Sequence, residues 1–111
     1  MPLSGFATYY FLPGSTTAYG EKFDADAMTA AMTPDRAGKN AKVKVWLADD
    51  PNRAVLVRVN DTGPFARDPF GGPLRPLRPD PEIIIDLTPR AFVSLTGDIN
   101  QGKVRVNLVV S

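Results

Sequence analysis

The chain contains neither cysteine nor histidine. The absence of cysteine excludes disulfides and thiol nucleophiles, and the absence of histidine excludes Ser-His triads. Cys/His zinc sites are excluded as well, and we expect no metal and no cofactor. Carboxylates are therefore the strongest candidates for acid–base chemistry.

The chain also lacks a long apolar run and a strong charge excess. No run approaches the ~20 apolar residues that cross a bilayer, so we expect no membrane span. The formal net charge of +1 argues against a nucleic-acid partner. Residues 1–5 lack the basic and apolar regions of a signal peptide. This leaves a cytosolic protein, if that terminus is native, or a secreted, periplasmic or wall-associated one whose signal has been removed.

The remaining sequence predicts a single domain, 1–111, built mainly from β-strands. Short apolar runs separated by Gly, Pro, Asn and Asp favour a small barrel or sandwich of about six strands. One helix is predicted, because Thr88 suits an N-cap, Pro89 the first helical position and Gly97 the stop. A second short helix or turn is predicted at Asp24. The predicted strands are 6–11, 42–47, 54–60, 83–85 and 104–110.

A proline-rich segment at about 66–81 differs from the rest of the chain. It holds five prolines and a repeated Pro-Leu-Arg, which favours extended, polyproline-like backbone. A long loop inside a small domain is usually functional or disordered, so we interpret it as an insertion forming a lid or groove wall. A PxxP ligand for an SH3-type partner is the alternative.

Two acids stand in unusual positions. Asp61 ends an alternating strand, directly before a turn that Gly63 and Pro64 make tight. The end of a strand positions a side chain more precisely than a flexible loop does. Asp86 interrupts an apolar strand just before the helix cap, which predicts at least partial burial. Each has a structural alternative: Asp61 as a turn cap and Asp86 as an acid that binds backbone N–H groups.

Five segments together resemble the RlpA-like double-psi β-barrel family. They are 5–10, 18–24, 27–31, 57–65 and 84–88, in the family's order. The resemblance implies a mainly β fold, a six-stranded double-psi β-barrel with one or two short helices. It also implies kinship with secreted lytic transglycosylases that act on peptidoglycan without stem peptides. The family's acidic positions fall on Glu21, Asp24 and Asp61, and its histidine falls on Met32. The related expansins have functional positions that fall on Thr8, Asp61 and Asp86.

We therefore expect a monomeric domain whose partner is a cell-wall polysaccharide, most simply peptidoglycan. Asp61 is predicted to be the general acid, with Glu21 and Asp24 completing the catalytic set and Asp86 and Thr8 supporting the site. The aromatic residues predicted to bind sugar are Tyr10, Tyr19 and Phe65. Met32 favours a non-catalytic, expansin-like wall-binding or wall-loosening module as one alternative. A protein-binding or inhibitor barrel that presents the proline-rich loop is the other.

Overall fold

Alternating apolar residues form a closed barrel in the computed structural model, which describes residues 2–111. The strands β1–β6 are joined by one helix, α1, and by a 3-10 turn at Ile99–Gln101. Their bounds are β1 Leu3–Tyr9, β2 Thr29–Ala31, β3 Lys42–Leu47, β4 Ala54–Asp61, β5 Ile83–Leu87, α1 Pro89–Thr96 and β6 Lys103–Val110. The prediction of a mainly β, six-stranded barrel is confirmed.

The strands follow the order β1-β5-β2-β4-β3-β6 around the barrel, and β6 pairs with β1 to close it. Two neighbouring pairs are parallel, β1 with β5 and β2 with β4, and the others are antiparallel. Because the barrel is closed, none of its six strands is an exposed edge.

The core lies inside the barrel and beneath the helix. In β3 and β4 the inward valines are buried while most of their neighbours, such as Lys44 and Leu56, are exposed. Helix α1 closes one side of this core by burying Ala91, Phe92 and Leu95. The Phe92 ring packs against Tyr9, with 5.1 Å between ring centroids.

The ends of α1 match the sequence prediction. The side chain of Thr88 accepts a hydrogen bond from the Ala91 amide at 3.3 Å, and its hydroxyl donates to the Ala27 carbonyl at 2.6 Å. Gly97 ends the helix with a φ of 81°, a left-handed conformation that glycine adopts without steric cost. Asp24 begins a turn and not a helix, because its side chain accepts from the Asp26 amide at 2.9 Å.

The other differences concern strand bounds. The first strand begins at Leu3 and ends at Tyr9, where residues 6–11 were predicted. Strand β2 has only three residues, all of them buried, and no alternating pattern marks it in the sequence.

No helix among residues 2–111 is long and apolar enough to cross a membrane.

The proline-rich loop folds back on itself instead of running as an extended polyproline segment. The Ala66 amide donates to the Arg78 carbonyl at 2.8 Å, and the Leu74 amide donates to the Ala66 carbonyl at 3.0 Å. At the base of the loop the Asp80 amide donates to the Pro64 carbonyl at 3.1 Å. The loop therefore has defined backbone pairing next to the end of β4.

Candidate functional site

Asp61 lies at the last position of β4, where the ladder to β2 is irregular. Ala30 pairs with Val59 but Ala31 pairs with Asp61, so β4 has one extra residue at this point. Such a bulge turns the following side chain to a new direction. Asp61 Oδ1 accepts from the amides of Ala18 at 2.8 Å and Thr62 at 2.9 Å. Gly63, with a φ of 121°, then allows the sharp turn away from the barrel.

Tyr10 contacts the other oxygen of this carboxylate. Its hydroxyl donates to Asp61 Oδ2 at 3.2 Å, and its ring packs against Phe23 with 5.1 Å between centroids. Burial raises the pKa of the Tyr10 phenol above its ordinary value, and the charge and hydrogen bond of Asp61 raise it further. The phenol therefore stays protonated and remains a donor to Asp61.

Asp86 lies on β5, beside Thr8 of β1 on one flank and Ala31 of β2 on the other. The Thr8 hydroxyl donates a hydrogen bond to Asp86 Oδ1. Burial raises the pKa of the Asp86 carboxyl, while the Thr8 hydrogen bond and the charge of Arg67 act in the opposite direction. Asp86 is thus a partly buried acid that holds its proton more readily than a surface aspartate does.

The two acids open into one cavity of about 330 Å³. Ala31 lies between them, since it pairs with Asp61 on one side and with Asp86 on the other. Tyr10 and Phe65, two of the three residues predicted to bind sugar, contribute aromatic surface to the cavity. The remaining lining residues are Leu12, Ala31, Thr62, Gly63, Pro64, Arg67 and Pro73.

Glu21 lies outside the lining of this cavity. It forms a two-point ion pair with Arg58, with 2.6 Å between Glu21 Oε2 and Arg58 Nη1 and 2.8 Å between Oε1 and Nη2. The Asn60 amide adds a hydrogen bond at 3.3 Å. The hydrogen bonds from Arg58 and then Asn60 lower the pKa of Glu21 to about 2. Glu21 therefore ties its loop to β4, and the same loop supplies the Ala18 amide to Asp61.

The other predicted residues are also placed away from the cavity. Asp24 is exposed and is engaged in its own turn, and Tyr19 is half-buried against the hydrophobic core. The Met32 side chain is fully buried, and the Met32 amide donates to the Asp61 carbonyl at 3.2 Å. Met32 therefore contributes to the core and not to the surface of the site.

Arg67 is the charged lining residue that the sequence analysis missed. It belongs to the proline-rich loop, and with Pro73 it forms one wall of the cavity. The sequence analysis interpreted the proline-rich segment as a lid or groove wall, but nothing in the sequence identified Arg67 as the residue that enters the site. The described residues hold no group of three or more acidic side chains placed to bind a metal ion.

Fold and site together define a small double-psi β-barrel with an acidic cavity at the junction of β2, β4 and β5. Residues 3–108 match the family described as lytic transglycolase. The chain belongs to this double-psi β-barrel family.

One curated relative is a protein of Nostoc sp. named "Probable endolytic peptidoglycan transglycosylase RlpA". It is 37% identical over 71 residues, which is 60% of this chain. The match spans 18% of the relative's own length.

Similar solved structures share the whole barrel. A papain inhibitor from Streptomyces superposes with a TM-score of 0.67 at 22% identity, covering 99% of this chain and 94% of the inhibitor. The apo expansin of Clavibacter michiganensis gives a TM-score of 0.65 at 26% identity, covering all of this chain and 50% of the expansin. A point mutant of that expansin, in complex with cellohexaose, gives 0.64 at 23% identity, with the same coverage.

Proposed function

We propose that the chain binds a cell-wall glycan, most simply peptidoglycan, in the Asp61–Asp86 cavity and cleaves the strand there. The observation that supports this proposal best is that two carboxylates separated by 25 positions in the sequence, 61 and 86, open into one cavity with Tyr10 and Phe65. A pair of acids beside aromatic surface is typical of sites that cleave glycosidic bonds.

Asp86 has the environment of a proton donor. Its raised pKa favours the protonated form that must give a proton to the glycosidic oxygen as the carbon–oxygen bond breaks. A hydroxyl of the same sugar then attacks the anomeric carbon, forms an anhydro-sugar and returns its proton to the Asp86 carboxylate. Asp61 faces the positive charge that develops on the sugar ring. Asp61 as the general acid, the assignment predicted from the sequence, is the other distribution of roles between the same two acids.

The relatives support a glycan as the ligand. The Nostoc relative carries the name of a peptidoglycan transglycosylase, and the mutant expansin structure contains cellohexaose, a polysaccharide fragment. These names belong to longer proteins, so strand cleavage by this chain remains our proposal.

The test is incubation of the protein with intact and with peptide-free peptidoglycan, followed by mass spectrometry of the soluble products. We expect anhydro-sugar products, and we expect Asp86→Asn and Asp61→Asn each to reduce their release by about 100-fold or more. The matched control is Asp49→Asn, an exposed acid in the turn between β3 and β4, which should retain full activity. Unchanged product release by both cavity variants would rule out this mechanism.

A second candidate, a non-catalytic wall-binding module of the expansin kind, is favoured by a specific observation. The residue at the family's histidine position, Met32, is buried in the core, and Glu21 is held by Arg58 outside the cavity. Neither can transfer a proton in the cavity. This candidate predicts that wild-type protein binds the glycan but releases no soluble product at any pH.

The inhibitor alternative is distinguished by the proline-rich loop. Phe70, 97% exposed in this loop and outside the cavity lining, offers a mild change. Phe70→Ala should weaken a protein interaction made by the loop while glycan binding at the barrel survives. Assay of papain inhibition by the intact protein and by this variant tests that possibility directly.

A further inference from the structure

Arg67 adds a positive charge to the lining of a cavity that also holds two acids. Among the described residues that line the cavity, Arg67 alone carries a positive charge, and Asp61 and Asp86 alone carry negative charges. The Arg67 side chain is exposed to solvent. Its one hydrogen bond among residues 2–111 runs from Nη1 to the Gly71 carbonyl at 2.7 Å, which leaves donors on Nε and Nη2 free for a ligand.

The loop holds Arg67 in a defined position. The residues before and after it, Ala66 and Asp68, both make backbone hydrogen bonds within the loop. Asp68 Oδ1 accepts from the amides of Phe70 and Gly72, each at 2.9 Å, and this closes the turn beyond Arg67. The guanidinium therefore projects from a hairpin whose backbone is already paired, and less backbone freedom is lost when it binds a ligand.

We propose that Arg67 binds a carboxylate of the glycan and makes the cavity selective for acidic over neutral sugar polymers. This inference rests on the proposed glycan-binding function. The planar guanidinium presents parallel N–H donors that fit the two oxygens of a carboxylate. Asp61 and Asp86 repel a carboxylate, so among the described lining residues Arg67 is the one whose charge can hold it in the cavity.

The free carboxylate of a muramoyl lactyl group and that of a uronic acid both fit this chemistry. Four hexasaccharides serve as probes that distinguish these two sources of the carboxylate. They are a neutral N-acetylglucosamine oligomer, a strand with free muramoyl lactyl groups, the same strand with each lactyl group converted to its methyl amide, and an oligogalacturonate. Conversion to the methyl amide removes the charge and leaves the sugar backbone unchanged.

A purely electrostatic role of Arg67, acting through the pKa of Asp86, is the competing explanation. The conservative variant Arg67→Lys separates the two, because lysine keeps the charge but loses the planar fork. If the role is electrostatic, Arg67→Lys should behave like the wild type, with the same preference among ligands. Carboxylate recognition predicts that lysine restores only part of the selectivity.

The experiment is titration of each hexasaccharide into wild-type protein and into Arg67→Gln, Arg67→Lys and the control Arg78→Gln. Arg78 lies in the same loop and is exposed, and its side chain is absent from the cavity lining. Binding is followed by amide chemical shifts at low temperature, which also report whether each variant is folded. We expect Arg67→Gln to weaken about tenfold the binding of the carboxylated hexasaccharide that the wild type prefers. The affinity for the neutral N-acetylglucosamine oligomer should change by less than about twofold. We expect Arg78→Gln to change neither.

The outcomes separate this inference from the proposed function. Wild-type preference for a free carboxylate over its methyl amide or the neutral oligomer, lost in Arg67→Gln, supports the inference and identifies the source. Equal binding of neutral and acidic hexasaccharides by the wild type, or a preference that survives in Arg67→Gln, overturns the inference and leaves glycan binding intact. Absence of binding to all four hexasaccharides overturns both.

Discussion

Asp86 shows how a single side chain acquires unusual acidity from its neighbours. Its carboxyl is partly buried beside Thr8 in the lining of the cavity, and burial raises its pKa more than the Thr8 hydrogen bond lowers it. The carboxyl can therefore remain protonated where an exposed aspartate is ionised. In the proposed mechanism this is the property that allows Asp86 to protonate a leaving oxygen.

The variant Thr8→Val tests this account at the residue scale. Valine keeps the shape of threonine but cannot donate, so we expect the pKa of Asp86 to rise further. Because its folded pKa lies above the unfolded value, Asp86 contributes stability at low pH that is lost as pH rises through the folded pKa. The pH range over which this stability is lost should lie higher in the variant. The free energy of unfolding at neutral pH should fall by about 1–3 kcal/mol.

Carbon NMR titration of the Asp86 carboxyl measures the pKa directly, and denaturant unfolding across the pH range measures the stability. Thr16→Val, at an exposed threonine outside the cavity, is the matched control. A lower pKa of Asp86 in Thr8→Val would contradict the proposed balance between burial and hydrogen bonding.

At the scale of a structural element, the loop of residues 17–21 connects the Glu21–Arg58 ion pair to Asp61. Arg58 holds Glu21 at one end of this loop, and the Ala18 amide donates to Asp61 from the other end. Two of the acids predicted as catalytic thus have different roles in the structure. Asp61 faces the cavity, and Glu21 positions the loop that contacts Asp61.

We therefore expect Glu21→Gln to loosen the loop without removing a group from the cavity. The Ala18 amide should exchange its hydrogen faster in this variant, as measured by NMR. In the wild type, protonation of Glu21 should have the same effect: its contribution to stability is present above the unfolded pKa of 4.5 and is lost as pH falls towards about 2. Glu82→Gln, at an exposed acid paired with Lys103 at 3.9 Å, should leave Ala18 exchange unchanged. Equal exchange in wild type and Glu21→Gln would refute this positioning role.

Local sequence rules predicted some elements well and others not at all. The ends of α1 depend on Thr88, Pro89 and Gly97 themselves, and β3 depends on its own alternation, so both matched the structure. Strand β2 depends instead on its neighbours β4 and β5, which supply its hydrogen bonds. Its three small or polar residues give no pattern by which a strand can be recognised.

The same distinction applies to the site. The turn chemistry around Gly63 indicated Asp61, and the interrupted apolar strand indicated partial burial of Asp86. Their shared cavity depends on strand pairings between distant parts of the chain, which a local pattern does not encode. The Glu21–Arg58 pair and the position of Arg67 are likewise products of long-range packing.

At the scale of the whole molecule, one hydrophobic core supports both the barrel and the cavity. Phe92 is among the largest fully buried side chains and joins α1 to Tyr9 at the end of β1. The adjacent residue, Tyr10, is the one that contacts Asp61. The helix thus stabilises the segment from which part of the site is built, although its cap and core residues do not line the cavity.

We expect Phe92→Ala to lower the free energy of unfolding by about 3–5 kcal/mol, because it leaves a cavity in a core that cannot fully collapse. Denaturant unfolding followed by tryptophan fluorescence, with Trp46 as the single reporter, measures the loss. The matched control is Val93→Ala on the same helix, whose valine is 40% exposed and should change stability by less than about 1 kcal/mol. A loss below about 1 kcal/mol for Phe92→Ala would show that α1 contributes little to the common core.

Ala31 sets the geometry of the site through the backbone alone. Since it pairs with Asp61 on one side and Asp86 on the other, the backbones of the two acids are separated by two strand spacings, about 10 Å. That distance is a property of the barrel's hydrogen-bond ladder and does not depend on which side chains occupy the two positions. Substitution of either acid can therefore change the chemistry of the cavity while the backbone around it keeps its spacing. A barrel of this kind can keep the same backbone frame around its ligand whether or not it cuts what it binds.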